Sequence, residues 1–543
     1  MNNRNVRLSL VAFAALAATS HLTAQRQVAV FYGVTTGGAF GRAIVPAPDR
    51  NGDGPDLLVG IPEWTNGAGR AVWVNGQTGQ VIGAANGTGI TTRLGSSITP
   101  AGDLNGDGIQ DWVVGAPGAD YAGIDAGHVA AISGANGAIL WTRDGAPGNR
   151  WGEGLCAIGD ITGDGRQEIA VSAPLVDVGL VSILNGATGS TVRTFSGDPF
   201  TRFGSAIALL RPVGTGPLRL LVSEPLVGGA GRIWLIDPQQ PAAASAVWLR
   251  TGSSGEQIGQ RLASLGDVNG DGTPDFLASR TNARVDVRSG VDGALLHTFT
   301  GSAANDFGFA FAGAGDLDRD GRPEIAIGAP GTNIQNGAAT VYSGATFAPL
   351  FSLAGTPGSR FGEAFAGLGD IDGDQWPDLA IGAPTHFQPG LGGVGRITVH
   401  SLTVQGQAIP YGTGCAGSLA VTPTFIANQA PRLGSSFDLK VTLAPANALC
   451  LFTQGLSRTQ AGILPLPVDL GGLGAPGCTL LTSLEALDAI PANGSGAAVL
   501  VITVPTTPSL AGFRWFSQGA VLTPANPFGL VTTSAIDLTI GHL

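Results

Sequence analysis

Charge is scarce in this sequence. Asp, Glu, Lys and Arg make up 12% of its 543 residues, and the single lysine, Lys440, stands among many arginines. The formal net charge is −11 and no basic block occurs. Nucleic acid is therefore not an expected partner, since binding phosphates takes clustered positive charge. Cysteine is scarce too. Cys156, Cys415, Cys450 and Cys478 form no CxxC pair, which argues against zinc. The six histidines are scattered, and neither GxSxG nor HExxH occurs. Isolated acids such as Asp177 and Asp286 read as solvated side chains. Nothing here supplies a nucleophile with a base, so catalysis is not expected. Long amphipathic helical patterns are hard to find.

Glycine, by contrast, is abundant. There are 86 Gly and 34 Pro against 43% hydrophobic residues. That composition can supply a core, and it points to short strands joined by tight turns. Residues 1–24 read as a secretory signal. Arg4 and Arg7 precede the apolar run "LSLVAFAALAA", which is too short to span a bilayer, and "LTAQ" offers cleavage after Ala24. A buried N-terminal strand or helix is the competing reading. No later run is long and apolar enough for a span, so a secreted or surface location is expected. Export permits disulfides. Cys415 and Cys478 both sit in Gly-rich turns and are expected to pair, a closure that stabilises by about 4 kcal/mol in the chain-entropy model. Cys156 and Cys450 lie in apolar runs and read as small buried residues.

The strongest signal is self-similarity. An apolar residue followed by Gly recurs at Phe40-Gly41, Leu94-Gly95, Trp151-Gly152, Phe203-Gly204, Ile258-Gly259, Phe307-Gly308 and Phe361-Gly362. After it comes a run of small apolar residues ending in Gly-Asp, then an acidic loop. A second apolar run follows, ending in "GAP" or a relative such as "GIP", "SAP" or "SEP". Two further runs complete each unit. Four strands per repeat and seven repeats predict an all-β fold, a seven-bladed β-propeller over residues 25–405. A linear solenoid is the competing geometry. "QVAVFYGV" (27–34) precedes the first repeat as fourth strands precede the later ones, so it could complete the last blade. "VQGQAIPYG" could compete for that slot.

The acidic loop carries the chemistry. In the second repeat Asp103, Asn105 and Asp107 stand at positions 1, 3 and 5, Gly108 at 6 and Asp111 at 9, with the carbonyl of Ile109 available at 7. Alternate spacing lets oxygens converge while the glycine permits a sharp turn. An oxygen-only, carboxylate-rich set suits Ca²⁺ better than Mg²⁺ or a transition metal. The third repeat offers Asp160, Thr162, Asp164, Arg166 and Glu168. The fifth offers Asp267, Asn269, Asp271, Thr273 and Asp275. The sixth offers Asp316, Asp318, Asp320, Arg322 and Glu324, and the seventh Asp370, Asp372, Asp374, Trp376 and Asp378. About five Ca²⁺ sites are therefore expected. A plain Asp/Asn/Gly turn competes for any single loop, but turn chemistry does not need an acid at position 9 each time. In the seventh repeat Gln375 replaces the glycine. In the first, Asp49, Asn51 and Asp53 precede Asp56 by one residue too few, which predicts a sixth, weaker site. The fourth repeat, "RPVGTGPLRLLV", has no acids and is expected to bind nothing.

The FG pair, the acidic loop and the GAP together resemble the FG-GAP repeats of the integrin α-subunit N-terminal propeller, over about residues 27–405. The resemblance implies a seven-bladed propeller with Ca²⁺ in blade loops, working in extracellular recognition or adhesion. It implies an extracellular protein or glycan as partner. The expected stalk, membrane span and cytoplasmic tail are missing, so an integrin-type heterodimer is not expected, and the chain looks more like secreted bacterial FG-GAP proteins. Such propellers also accompany extracellular hydrolases of glycans or phosphodiesters, which is the alternative function. Core packing is the expected role of Trp64, Trp141 and Trp376, which are candidate contacts for a glycan only if exposed, and Asn86 and Asn493 lie in N-x-S/T sequons. Residues 406–543 contain no acidic loop and read as a small all-β domain of sandwich type.

Overall fold

The structure is a computed structural model that describes residues 7–9, 26–50, 52–89, 91–175, 177–211, 217–241, 246–317, 320–372, 376–401, 407–416, 421–462, 464–505, 510, 513–524 and 526–541. The chain divides into two compact units, Gln27–Leu402 and a second made of Met1–Arg26 with Thr403–Leu543.

The first unit contains seven four-stranded sheets. Six run in simple sequence order. Blade 2, for example, is Ser97–Gly102, Asp111–Ala116, His128–Ile132 and Ile139–Asp144, paired antiparallel throughout. Burial along each blade explains its sequence. The first strands are short and rich in small residues, as in "LCAIG" (Leu155–Gly159) and "FAGAG" (Phe311–Gly315), because seven of them converge on one axis. The second strands are nearly continuous apolar runs, such as Asp56–Ile61 and Glu168–Ala173, which are buried at every position. Both faces are covered by neighbouring blades, which removes the need for alternation. The outer strands return to a mixed pattern, as in Thr191–Ser196.

The ring is closed. The first strand of each blade touches that of the next, and Ala364–Gly369 of blade 7 touches Ala43–Ala47 of blade 1. Seven apolar clusters hold the ring, each shared by two successive blades. Arg26–Tyr32 lies beside Arg396–Ser401 as the outer strand of blade 7. The competing segment, Gln407–Tyr411, pairs instead with Leu530–Thr539 in the other unit. The solenoid is thereby excluded.

The FG and GAP motifs turn out to be two halves of one joint. The Gly95 N–H donates to the Gly115 carbonyl of its own blade at 3.0 Å. Its carbonyl lies against Gly60 of the preceding blade, where a Cβ would fall 2.0 Å from it. The same contact joins Gly382 of blade 7 to Gly41 of blade 1, with a Cβ-to-oxygen distance of 2.1 Å. At Gly60 and Gly382 a side chain would therefore meet backbone of the next blade as the two now lie. In blades 3, 4 and 5 Ser172, Ser223 and Ser279 replace this glycine, and their hydroxyls accept from the N–H of Gly154, Ala206 and Arg261 at 2.8–2.9 Å. The residue before each FG aromatic or aliphatic side chain is left-handed: Ala39, Arg93, Arg150, Arg202, Gln257, Asp306 and Arg360 have φ of 42–60°.

The second unit packs two sheets around one core. Gln407–Tyr411, Leu530–Thr539, Arg514–Leu522, Leu449–Gly455 and Ala486–Pro491 form one; Arg7–Ser9, Ala498–Thr503, Ser436–Thr442 and Thr424–Ala427 form the other. Arg7–Ser9 pairs parallel with Val501–Thr503. The rest of the leader read over residues 1–24 lies outside the described residues. Cys415 and Cys478 form a disulfide within this core. Burial pushes the free thiol of Cys156 up to about 12 and that of Cys450 up to about 11, so both stay protonated.

Candidate metal loops

Each acidic loop joins the first strand of a blade to the second. In blades 2, 3, 6 and 7 a bulge at the end of the first strand, at Gly102, Gly159, Gly315 and Gly369, turns the chain into the loop. All four glycines have positive φ, and the bulge re-aims the next residue, the Asp at position 1. That carboxylate then curls the loop around itself. Asp103 accepts from the N–H of Gly106 at 2.6 Å and of Gly108 at 2.9 Å. Asp160 repeats this with Gly163 and Gly165, and Asp267 with Gly270 and Gly272, at 2.6–2.8 Å. Asp49 does so with Gly52 and Gly54, and Asp316 accepts from Gly321. The position-5 acid accepts from the N–H of position 7: Asp107 from Ile109, Asp164 from Arg166, Asp271 from Thr273 and Asp320 from Arg322, at 2.8–2.9 Å.

The acid at position 9 does something the sequence did not suggest. Asp111, Glu168, Asp275, Glu324 and Asp378 are all fully buried. Asp111 accepts from the N–H of Leu104 at 2.7 Å and of Gly134 at 2.9 Å. Asp275 likewise holds Val268 and Gly290. Asp111 and Asp275 thereby fasten their loops to the hairpin between strands three and four, and Glu168 reaches that hairpin through Asn185 at 3.4 Å. Glu324 and Asp378 accept from the N–H of Leu317 and Ile371 in their own loops. Asp56 of the first repeat, one residue early by count, occupies the same place and holds Arg50 N–H and Gly76 N–H at 3.1–3.2 Å. The irregular spacing is absorbed upstream of it. In the fourth repeat Arg219 stands at this position, pairing with Asp237 at 3.1 Å.

Burial, opposed by backbone donors, raises the pKa of Asp56, Asp111 and Glu168, and brings Asp275 up to about 6. At Asp103 the balance reverses. Burial of Asp103 is outweighed by the donors Gly108 and Gly106 and by the Arg166 charge, and its pKa falls. The Asn185 amide and the Arg166 N–H lower that of Asp164.

Three loops bring carboxylate oxygens within 4.8 Å of one another: Asp160, Asp164 and Glu168; Asp316, Asp320 and Glu324; Asp370, Asp372 and Asp378. These oxygen-only clusters could hold a hard cation. In blades 2 and 5 the arrangement differs. Asn105 donates to Asp107 at 2.9 Å and Asn269 to Asp271 at 2.8 Å. An arginine from the next blade reaches the position-1 acid: Arg166 lies 3.5 Å from Asp103, and Arg322 lies 3.8 Å from Asp267. Thr162 turns its hydroxyl to Glu168 at 3.1 Å. Asp53 is held by Asn75 at 2.9–3.0 Å. Asn51, Asp318, Asp374 and Gln375 lie outside the described residues.

Other expectations need correction. Asp286 is not a solvated acid. It is fully buried, bound by Arg288 at 2.7 Å, Arg280 at 3.2 Å and the Thr298 hydroxyl at 2.9 Å. Trp141 and Trp376 are core residues, the role expected of them, and Trp64 is half-buried against Arg70. Asp177 is exposed, as expected.

A closed ring of seven such blades, six of them with acidic reversals at the ends of the inner strands, defines a seven-bladed β-propeller. The family model described as "FG-GAP repeat" matches residues 307–343 and 361–400. Integrin alpha-PS5 of Drosophila melanogaster is 32% identical over 167 residues, 27% of this chain and 16% of that protein. The chain thus spans a small part of that relative's length. Among solved structures, Raptor of Chaetomium thermophilum superposes with a TM-score of 0.47 at 11% identity, over 70% of this chain and 29% of that one. Residues 307–343 and 361–400 are thus FG-GAP repeats, and part of the chain is similar to an integrin alpha subunit. Among the described residues no helix is long and apolar enough to cross a membrane.

Proposed function

We propose that this chain is an exported, calcium-binding propeller acting in extracellular binding or adhesion rather than in catalysis. The convergence of carboxylates in blades 3, 6 and 7 carries the reading. Asp160, Asp164 and Glu168 supply the donors in blade 3, Asp316, Asp320 and Glu324 in blade 6, and Asp370, Asp372 and Asp378 in blade 7. The loops of blades 2 and 5 join the set once a cation displaces the cross-blade arginine, giving about five ions. The first-repeat loop makes a sixth, weaker site. The likeness to an integrin α-subunit supports an extracellular setting and a protein or glycan partner.

A surface-retention assay tests the reading. The purified chain is applied to immobilised extracellular glycans and matrix proteins in millimolar calcium, then washed with or without chelator. Retention that chelation abolishes is expected. Equal recovery in both washes, or turnover of a glycan or phosphodiester abolished by a single-site mutation, would overturn it.

A further inference from the structure

The acidic loops lie at the ends of the inner strands. At their starts the central axis opens into a cavity of about 550 Å³, lined by residues of all seven blades. Its charge is unlike that of the chain. Arg42, Arg93, Arg150 and Arg261 face Glu63, Glu153 and Glu363, an excess of positive charge within a chain of net charge −11.

The acids are all engaged. Glu363 is buried between Arg42 at 2.7 Å and Arg360 at 2.6 Å. Glu63 pairs with Arg93 at 2.5 Å and Glu153 with Arg150 at 3.0 Å. Arg261 is left over. Among the described residues its guanidinium has no ion-pair partner and no side-chain hydrogen bond. It lies over the Phe309 ring, 4.4 Å from the centroid, and Arg360 approaches the same ring at 5.5 Å. Desolvation by the channel walls lowers its pKa, the Glu363 charge opposes this, and the Arg42 charge adds a smaller push downward. Arg261 is itself exposed to the channel, so a ligand entering the cavity can reach its guanidinium. A guanidinium held over a ring still has N–H groups to offer a planar oxyanion.

We propose that the cavity is a binding site for a small carboxylate-bearing ligand, with Arg261, oriented by Phe309, gripping the carboxylate. The volume suits a ligand of one to a few rings. This deepens the binding reading but does not depend on the calcium loops, so either can fail alone.

The test is calorimetric titration of the full chain with digalacturonate, its neutral methyl ester, and succinate, at low and high salt. Binding of digalacturonate but not the ester, weakened by salt, is expected. R261M should weaken it by about tenfold or more, and R261K, which keeps the charge but loses the fork, by several-fold. Comparable succinate binding would show that the carboxylate alone is recognised; its absence alongside digalacturonate binding would place the carboxylate on a sugar. Melting curves of both variants report folding, and F309L provides a second route if R261M is unstable. No binding of either acid, equal binding of the ester, or undiminished binding by correctly folded R261M would overturn the proposal.

Discussion

Arg166 of blade 3 reaches across the blade boundary to Asp103 of blade 2, donating to its backbone carbonyl at 2.9 Å and lying 3.5 Å from its carboxylate. Three blades further on, Arg322 of blade 6 lies 3.8 Å from the Asp267 carboxylate of blade 5. Both arginines occupy position 7 of their own acidic loops, and both reach the loop of the blade before. Neighbouring loops are thus electrostatically coupled in two places around the ring.

Removing that coupling should expose it. R166A is expected to lose under about 1 kcal/mol of stability without calcium, since the pair is partly solvated. It should tighten cation binding at the blade 2 loop by roughly fivefold, because Asp103 no longer shares its charge. Calcium titrations of R166A and the wild type, compared site by site, provide the check.

Position 9 and position 5 should separate. D111A strands two buried N–H donors, those of Leu104 and Gly134, and should cost about 3 kcal/mol with or without calcium. D107A removes an exposed acid. It should leave calcium-free melting nearly unchanged and reduce only the rise that calcium produces. Equal losses for both variants in chelator would contradict this division.

The blade joint gives a steric prediction. G382A places a methyl 2.1 Å from the Gly41 carbonyl oxygen, across the seam that closes the ring. Backbone meets backbone there, so the cost should be about 3 kcal/mol or more. At Gly108 nothing lies within 4 Å of the added methyl, but φ is +82°. G108A should therefore cost only about 1 kcal/mol of backbone strain. Denaturant midpoints of the two variants test the contrast.

Acid should loosen the propeller through His400. Burial, with a smaller contribution from Arg396, pushes its imidazole down to about 4. The unfolded chain takes up this proton near pH 6.5. The stabilisation is therefore complete above that pH and is lost as pH falls towards 4, by about 3 kcal/mol. H400N should flatten this part of the pH–stability curve, read from denaturation midpoints at pH 7 and 4.5.

Much of this was legible from local pattern. The FG-to-FG period, the Gly-Asp entry to each loop and the apolar second strands all lie within one repeat, so a single pass along the chain finds them. Closure by residues 27–34 was also readable, because that run matches later fourth strands. What escaped depends on contacts across blades or between strands. Asp286 reads as an isolated acid because Arg280 and Arg288 meet it only when strands pair. Arg261 and Phe309 belong to successive repeats and meet only in the closed ring. The anchoring role of the position-9 acid needs the partner hairpin at Gly134. Arg219 could have been noticed, since aligning the fourth repeat on the third sets it against Glu168.

The central claim is that the acidic loops bind calcium and that the ring depends on it. Calorimetric titration of residues 25–543 with calcium, with a melting curve at each end point, tests this most directly. About five ions bound and a large rise in melting temperature are predicted, because a ligand that binds only the native state stabilises it. No binding and an unchanged melting temperature would contradict it, leaving the loops as turns held by their own backbone donors and the calcium-dependent reading withdrawn.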